Sequence, residues 1–385
     1  MRLLLSEALF AAAAVGLLAI LVEHAVTVWH VRGRPAAPSR PVSFSILKPL
    51  CGLDDELEAN LELFAALEPP ADELLLGVRS ADDPAYPVAR AVAGRHADRV
   101  RVVVQRGEPG LNAKVNQLVT LEREASREIV VVSDSNVRVR PGFLGELAAA
   151  LEDPRVGLVA SPIVGSQGGT LGSLMDRLHL ASLVSPGMIA PKRLLGLDIV
   201  VGKTLALRRA DLAALGGFAA FKDVLAEDFL LGRAIKERLG LAIRVARLPV
   251  VNVSRRLAVA EFYRRYVRWD IIQRHVVGRA LYSCEIFLNP ILLGLLAWLA
   301  APALPQAGGL AIVCAVKSLA DGLSRSVQER SRLRLRDLLA TPLKDLVVGA
   351  AYLTASVRDT VVWRGHRMRV GDGSLIELAA EREPA

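Results

Sequence analysis

Three acidic stretches far apart in the chain are the residues best suited to chemistry: Asp82-Asp83-Pro84, Asp134 and Glu227-Asp228. Carboxylates brought together suit a hard divalent cation, Mg²⁺ or Mn²⁺, because such ions take oxygen ligands and cancel the charge of a diphosphate. Each stretch also has an ordinary reading. Asp-Asp-Pro makes a turn with a helix cap, a lone Asp134-Ser-Asn136 is a weak signal, and Glu227-Asp228 suits a helix start. Neither the six histidines nor the three cysteines, Cys51, Cys284 and Cys314, fall at metal-ligand or disulfide spacing, which fits a reducing compartment.

What could position these carboxylates is an alternation of short apolar runs with helical patterns. Strands are predicted over 42–47, 73–78, 100–104, 129–133 and 156–160. Helices fit between them: Asp54 could cap one running to Leu67, Pro84 could open another, and Pro141 could start a third. Such alternation implies an α/β domain with a mostly parallel sheet, whose ligands bind at the carboxyl ends of the strands. Asp82 and Asp83 follow one predicted strand and Asp134 another, so the acids could meet at one sheet edge.

The rest of the chain points to a membrane. It has 385 residues, 52% of them hydrophobic, and a mean hydropathy of +0.36, which argues against an ordinary soluble enzyme. Its net charge of +8 gathers beside apolar segments: Arg32, Arg34 and Arg40 follow the first, and Arg325, Arg330, Arg332, Arg334 and Arg336 follow the later ones. That is the pattern for an anionic membrane surface, and no nucleic-acid motif interleaves these residues with aromatics. The first apolar run, 8–22, extends to 29. With only Arg2 before it and the basic cluster after it, it reads as a retained anchor with the following domain in the cytoplasm. No charge occurs over 286–316, but Pro302, Pro305, Gly308 and Gly309 interrupt it, predicting a hairpin of spans 286–303 and 308–323. A third apolar segment, 338–357, carries Pro342, Lys344 and Asp345, and reads as re-entrant or interfacial. The expected organisation is an anchor over 1–30, a cytoplasmic domain over 40–280, a membrane hairpin over 284–323, and a basic segment with a membrane-associated helix over 324–385.

Six motifs occur in an order that carries a family resemblance: Ser45-Ile-Leu-Lys-Pro-Leu-Cys-Gly52, Asp82-Asp-Pro-Ala85, Asn112-Ala-Lys-Val-Asn116, Asp134, Glu227-Asp228 and Arg265-Tyr-Val-Arg268-Trp269. Over roughly residues 8 to 300 the chain resembles the ceramide glucosyltransferases and the related bacterial hopanoid glycosyltransferases, membrane enzymes with a GT-A type nucleotide-sugar domain. The resemblance implies inverting transfer of glucose from UDP-glucose to a membrane lipid hydroxyl, ceramide first. A hopanoid or diacylglycerol acceptor and a UDP-N-acetylglucosamine donor stand as alternatives. It implies Asp83 near the uridine, Asp134 as the aspartate of metal and diphosphate, and Asp228 as the base that takes the acceptor's proton. Mg²⁺ or Mn²⁺ is the implied cofactor. Lys114, with Asn112 and Asn116, becomes a phosphate or uridine contact. Arg265 and Arg268 match a signature whose guanidinium groups can bind a diphosphate, with Trp269 lining an acceptor pocket. The same stretch also reads as a basic amphipathic helix on the bilayer, with Phe262, Tyr266 and Trp269 at the interface, and the two readings are compatible.

The chain departs from the family pattern at three places. Ser80 stands where relatives often show a further aspartate, Asn136 replaces the second acid of a D-x-D, and Ser185 replaces a histidine before Pro186. The missing acids also admit a membrane scaffold that no longer catalyses.

Overall fold

Six consecutive buried residues, Phe44–Pro49, form the strand on which one half of the molecule is built. A strand buried along its whole length needs cover on both faces, and parallel neighbours linked through helices supply it. In the computed structural model, which describes residues 1–67, 71–363 and 366–378, the chain divides into two units. One comprises His30–Ser166 and Gly187–Arg255; the other comprises Met1–Trp29, Gln167–Pro186 and the chain from Arg256 on.

The described residues of the first unit form ten strands: β1 (Phe44–Pro49), β2 (Glu73–Val78), β3 (Val100–Val104), β4 (Ile129–Ser133), β5 (Val137–Arg138), β6 (Val156–Ala160), β7 (Ile163–Gly165), β8 (Thr204–Arg208), β9 (Ala242–Val245) and β10 (Val250–Asn252). Seven make the main sheet in the order β3-β2-β1-β4-β8-β6-β9, and β5, β10 and β7 make a small second one. The run from β3 to β4 is parallel, whereas β8 runs antiparallel to both β4 and β6. The sheet is therefore a parallel-rich α/β sheet with one reversed strand. Four of the five predicted strands coincide with β2, β3, β4 and β6. The fifth lies two residues further on than 42–47, so Lys48 is inside β1 rather than beyond it.

Local chemistry sets the helix starts. Asn112 is extended and its side-chain oxygen accepts from the amides of Lys114 (3.0 Å) and Val115 (3.1 Å), capping the helix Ala113–Glu124. Such a cap contributes about 1 kcal/mol. Asp54 does not cap as expected. The helix it was to open is Leu57–Ala65, entered through a left-handed Glu56, and the Asp54 carboxylate instead accepts the Ser135 hydroxyl next to Asp134. Pro141 is followed by the left-handed Gly142, and the helix there is Phe143–Leu151.

The second unit is helical, with a three-stranded sheet of β11 (Thr360–Trp363), β12 (His366–Val370) and β13 (Ile376–Leu378). Three of its described helices are long and apolar enough to cross a membrane: Arg2–Arg32, Leu304–Glu329 and Leu335–Val357. The expected hairpin breaks earlier than read. Its helices are Pro290–Ala300 and Leu304–Glu329, with Pro305 in the first turn of the second and Gly308 and Gly309 inside it. Proline is tolerated in a first turn because that amide has no helical partner. The third apolar segment is a continuous helix through Pro342. Its charges are absorbed internally, since Lys344 Nζ lies 3.0 Å from Asp321 and 2.7 Å from Asp345.

Candidate active site

At the carboxyl end of β4 stands Asp134, and around it the first unit gathers side chains from four separate stretches. Lys114, in the first turn of its helix, puts Nζ 3.1 Å from Asp134 Oδ1. Lys203, just before β8, puts Nζ 2.9 Å from Asp134 Oδ2 and 3.2 Å from Asn136 Oδ1. The antiparallel register that pairs Ser133 with Thr204 sets Lys203 beside Asp134, and the Asp134 amide donates to the Lys203 carbonyl (3.1 Å). Beneath them Lys48, fully buried in β1, donates to the Asp134 carbonyl (2.7 Å) and lies 3.7 Å from the centroid of Phe64.

The flanking helix Glu227–Leu239 brings the second acidic pair. Glu227 Oε1 lies 2.9 Å from Lys114 Nζ, so that lysine bridges Asp134 and Glu227 and also reaches the Gly202 carbonyl at 3.4 Å. Asp228 packs against Gly202 so closely that a Cβ there would lie 2.5 Å from Asp228 Oδ2. Only glycine permits that approach.

The electrostatics separate the two aspartates. Burial tends to raise the Asp134 pKa, but Lys114 and Lys203 outweigh it and hold the carboxyl well below the usual carboxylate range, so it stays ionised. Asp228 moves the other way: burial and the charge of Glu227, against Lys114, push it up to about 6. Burial pushes Lys48 down to about 7, and Lys114 is held above the ordinary lysine range because the attraction of Asp134, Glu227 and Asp228 outweighs its burial. Two carboxyls whose environments drive them apart can divide the work, one fixed as an anion and one able to take a proton near neutral pH.

The other residues singled out from sequence fall in several places. Asp83 Oδ1 accepts from the amides of Gly52 and Ala85, both at 2.9 Å, tying the loop after β1 to the start of the helix Ala85–Arg95. The Asn112 amide donates to the Val224 carbonyl (2.7 Å) besides capping its helix. Asn116 donates to the Gly110 carbonyl (2.8 Å) and accepts the Gly110 amide (2.9 Å). Both asparagines thus hold the loops that frame Lys114. Arg265, Arg268 and Trp269 belong to the second unit, on the helix Val259–Val277. There Arg265 donates to Asp176 (2.9 Å), which also accepts the Tyr266 hydroxyl (2.9 Å), and Trp269 meets Tyr266 edge to face. Sequence reasoning gave no role to Lys203, Gly202 or Lys48. Lys48 lay inside a quoted motif, whereas Lys203 becomes visible only once β8 is paired with β4.

The donor set tests the expected metal. A divalent cation between Asp134 and Asn136 would occupy the position of the Lys203 ammonium, and only one of those two side chains is a carboxylate. Among the described residues no group of three or more His, Cys, Asp or Glu could hold a metal ion. The residues named for Mg²⁺ or Mn²⁺ supply one carboxylate, Asp134, and it meets two ammonium groups, an arrangement that does not by itself fit a protein-held cation.

A parallel-rich sheet with its charged cluster at the strand ends is the GT-A arrangement of nucleotide-sugar transferases, and comparison with a solved structure agrees. A mannosyltransferase from Pyrobaculum calidifontis, solved with GDP-mannose and Mn²⁺, superposes with a TM-score of 0.55 at 20% identity, covering 92% of this chain and 99% of that one. Residues 8–376 match Glycosyl transferase family 21, and the chain belongs to that family. Two similar relatives are ceramide glucosyltransferase 1 and ceramide glucosyltransferase 3 of Caenorhabditis elegans, each 27% identical over 58% of this chain. Those alignments span 48% and 49% of the relatives, so the chain covers about half the length of the curated proteins it matches.

Proposed function

We propose that this protein is a membrane-bound, cytoplasm-facing glycosyltransferase that moves glucose from UDP-glucose to a lipid hydroxyl with inversion, and that ceramide is the acceptor. The observation that carries the reading is the Asp134 cluster with Asp228 beside it. An ionised aspartate flanked by ammonium groups suits an anionic donor, and a buried carboxyl at about 6 suits a general base. In the proposed reaction the acceptor oxygen attacks the anomeric carbon, its proton passes to Asp228, and the bond from that carbon to the β-phosphate oxygen breaks. Arg265, Arg268 and Trp269 are assigned to the acceptor side, because their unit contains the apolar helices that would hold the protein in the bilayer. Asp83 is assigned to the nucleoside side through the loop it ties, and Asn112 and Asn116 to holding Lys114 in position.

The test is transfer by the full chain in lipid nanodiscs. Radiolabelled UDP-glucose supplied with ceramide, diacylglycerol or a hopanoid should label ceramide fastest, and release UDP in step. Labelling of another lipid alone would replace the acceptor, labelling only with UDP-N-acetylglucosamine would replace the sugar, and no UDP release from any donor would leave a non-catalytic membrane protein.

A further inference from the structure

Lys203 stands where a cation would. Its ammonium lies 2.9 Å from Asp134 Oδ2 and 3.2 Å from Asn136 Oδ1, bridging the two side chains whose spacing would otherwise suit a metal. A lysine ammonium has three N–H donors. Lys114 spends its donors on Asp134, Glu227 and the Gly202 carbonyl, whereas Lys203 has two acceptors among the described residues and keeps one donor. Its side chain is 18% exposed, so that donor is within reach of a ligand.

We propose that the Lys203 ammonium, held by Asp134 and Asn136, does the work of a divalent cation on the donor's diphosphate. The inference rests on the reading of the donor as a nucleoside diphosphate sugar. As the bond between the anomeric carbon and the β-phosphate oxygen breaks, the electron pair stays on that oxygen, and the acceptor's proton goes to Asp228. Lys203 donates its remaining N–H to the diphosphate and stabilises the growing charge, as a preorganised cation does in a partly dry site. Asn136 fits this arrangement better than a second aspartate. Its carboxamide oxygen orients the ammonium without adding a negative charge that would repel the phosphate, and without a second carboxylate to attract a metal.

The experiment is calorimetric binding of UDP to the full chain in nanodiscs, in EDTA and in Mn²⁺. UDP should bind with affinities within about threefold of each other in the two buffers. Lys203→Met should weaken binding in EDTA by roughly 10- to 100-fold, with Lys203→Arg intermediate, because one charge-assisted hydrogen bond is lost or displaced. The pair Asn136→Asp with Lys203→Ala should recover UDP binding only when Mn²⁺ is present, with bound Mn²⁺ seen by electron paramagnetic resonance. Wild-type binding that requires Mn²⁺, or unchanged affinity in Lys203→Met, would overturn the role of Lys203 while leaving the donor reading intact. Failure of wild-type protein to bind UDP in either buffer would overturn both.

Discussion

Each unit of this molecule sets two lysines on one aspartate, and the two arrangements differ in a way that separates a site from a strut. In the first unit Asp134 meets Lys114 at 3.1 Å and Lys203 at 2.9 Å, and its side chain is 24% exposed. In the second, Asp321 meets Lys317 at 2.5 Å and Lys344 at 3.0 Å, and its side chain is wholly buried. His24 lies 3.0 Å from Asp321, while Asp345 closes the other side of the lysines. Charges on apolar helices are costly unless paired, and here each has a partner from another helix of the same unit. The buried cluster joins Arg2–Arg32, Leu304–Glu329 and Leu335–Val357, whereas the open one keeps a donor and an approach from solvent. The ion pairs are alike in chemistry, and access makes the difference.

The largest loss of stability is expected at Asp321. Asp321→Ala removes the carboxylate shared by two buried ammonium groups and leaves Asp345 alone between them, so it should cost about 3–5 kcal/mol, read as a large fall in melting temperature and poor accumulation in membranes. Asp134→Asn should lower the melting temperature too, because a carboxyl held low by two lysines contributes stability at neutral pH, but by less than Asp321→Ala, since its lysines keep access to water. Equal destabilisation by the two variants would make Asp134 a strut as well.

Turnover should separate the clusters next. Asp228→Asn should lower kcat by roughly 10²- to 10⁴-fold while UDP affinity stays within a few fold, since a general base acts in the transition state. A loss of UDP affinity as large as the loss of kcat would make Asp228 a donor ligand instead.

The pH dependence sharpens the same point. Burial and Glu227 hold the Asp228 carboxyl at about 6, so kcat should climb on an acid limb up to about that pH and level off above it, and Asp228→Asn should lack the limb. The stability sign runs the opposite way. A carboxyl raised above its unfolded value near 3.9 contributes stability in its protonated form, which is lost as pH rises through 6. Asp228→Asn should therefore unfold at a higher temperature than the wild type above that pH, measured by differential scanning calorimetry.

The smallest effect expected is at a frame residue. Asn112→Ala should cost about 1 kcal/mol for the lost cap, plus a modest fall in kcat through Lys114. A 10²-fold loss of UDP affinity with unchanged melting temperature would show that Asn112 touches the donor itself.

Much of the α/β unit was legible because buried parallel strands read as unbroken apolar runs: Glu73–Val78, Ile129–Ser133 and Val156–Ala160 are buried along their whole length. The strands β8 and β9 were not. Ala242–Val245 is only four residues long, and Thr204–Arg208 is a short run that follows the competing apolar run Ile199-Val200-Val201. That omission hid the site's second cation, since Lys203 reaches Asp134 only through the β4 and β8 register. Asp134 itself was readable because a carboxylate directly after a parallel strand falls at the ligand-binding edge. In the membrane region the sequence showed the charges Lys344 and Asp345 but not their partners, which come from another helix: Lys344 pairs with Asp321 as well as with Asp345.

The most direct test is the structure of the full chain with UDP bound in EDTA. The β-phosphate should lie within hydrogen-bond distance of Lys203 Nζ, with Lys114 still bridging Asp134 and Glu227. A diphosphate seated away from the carboxyl end of β4, or one ordered only when Mn²⁺ displaces Lys203 from Asp134, would contradict the account.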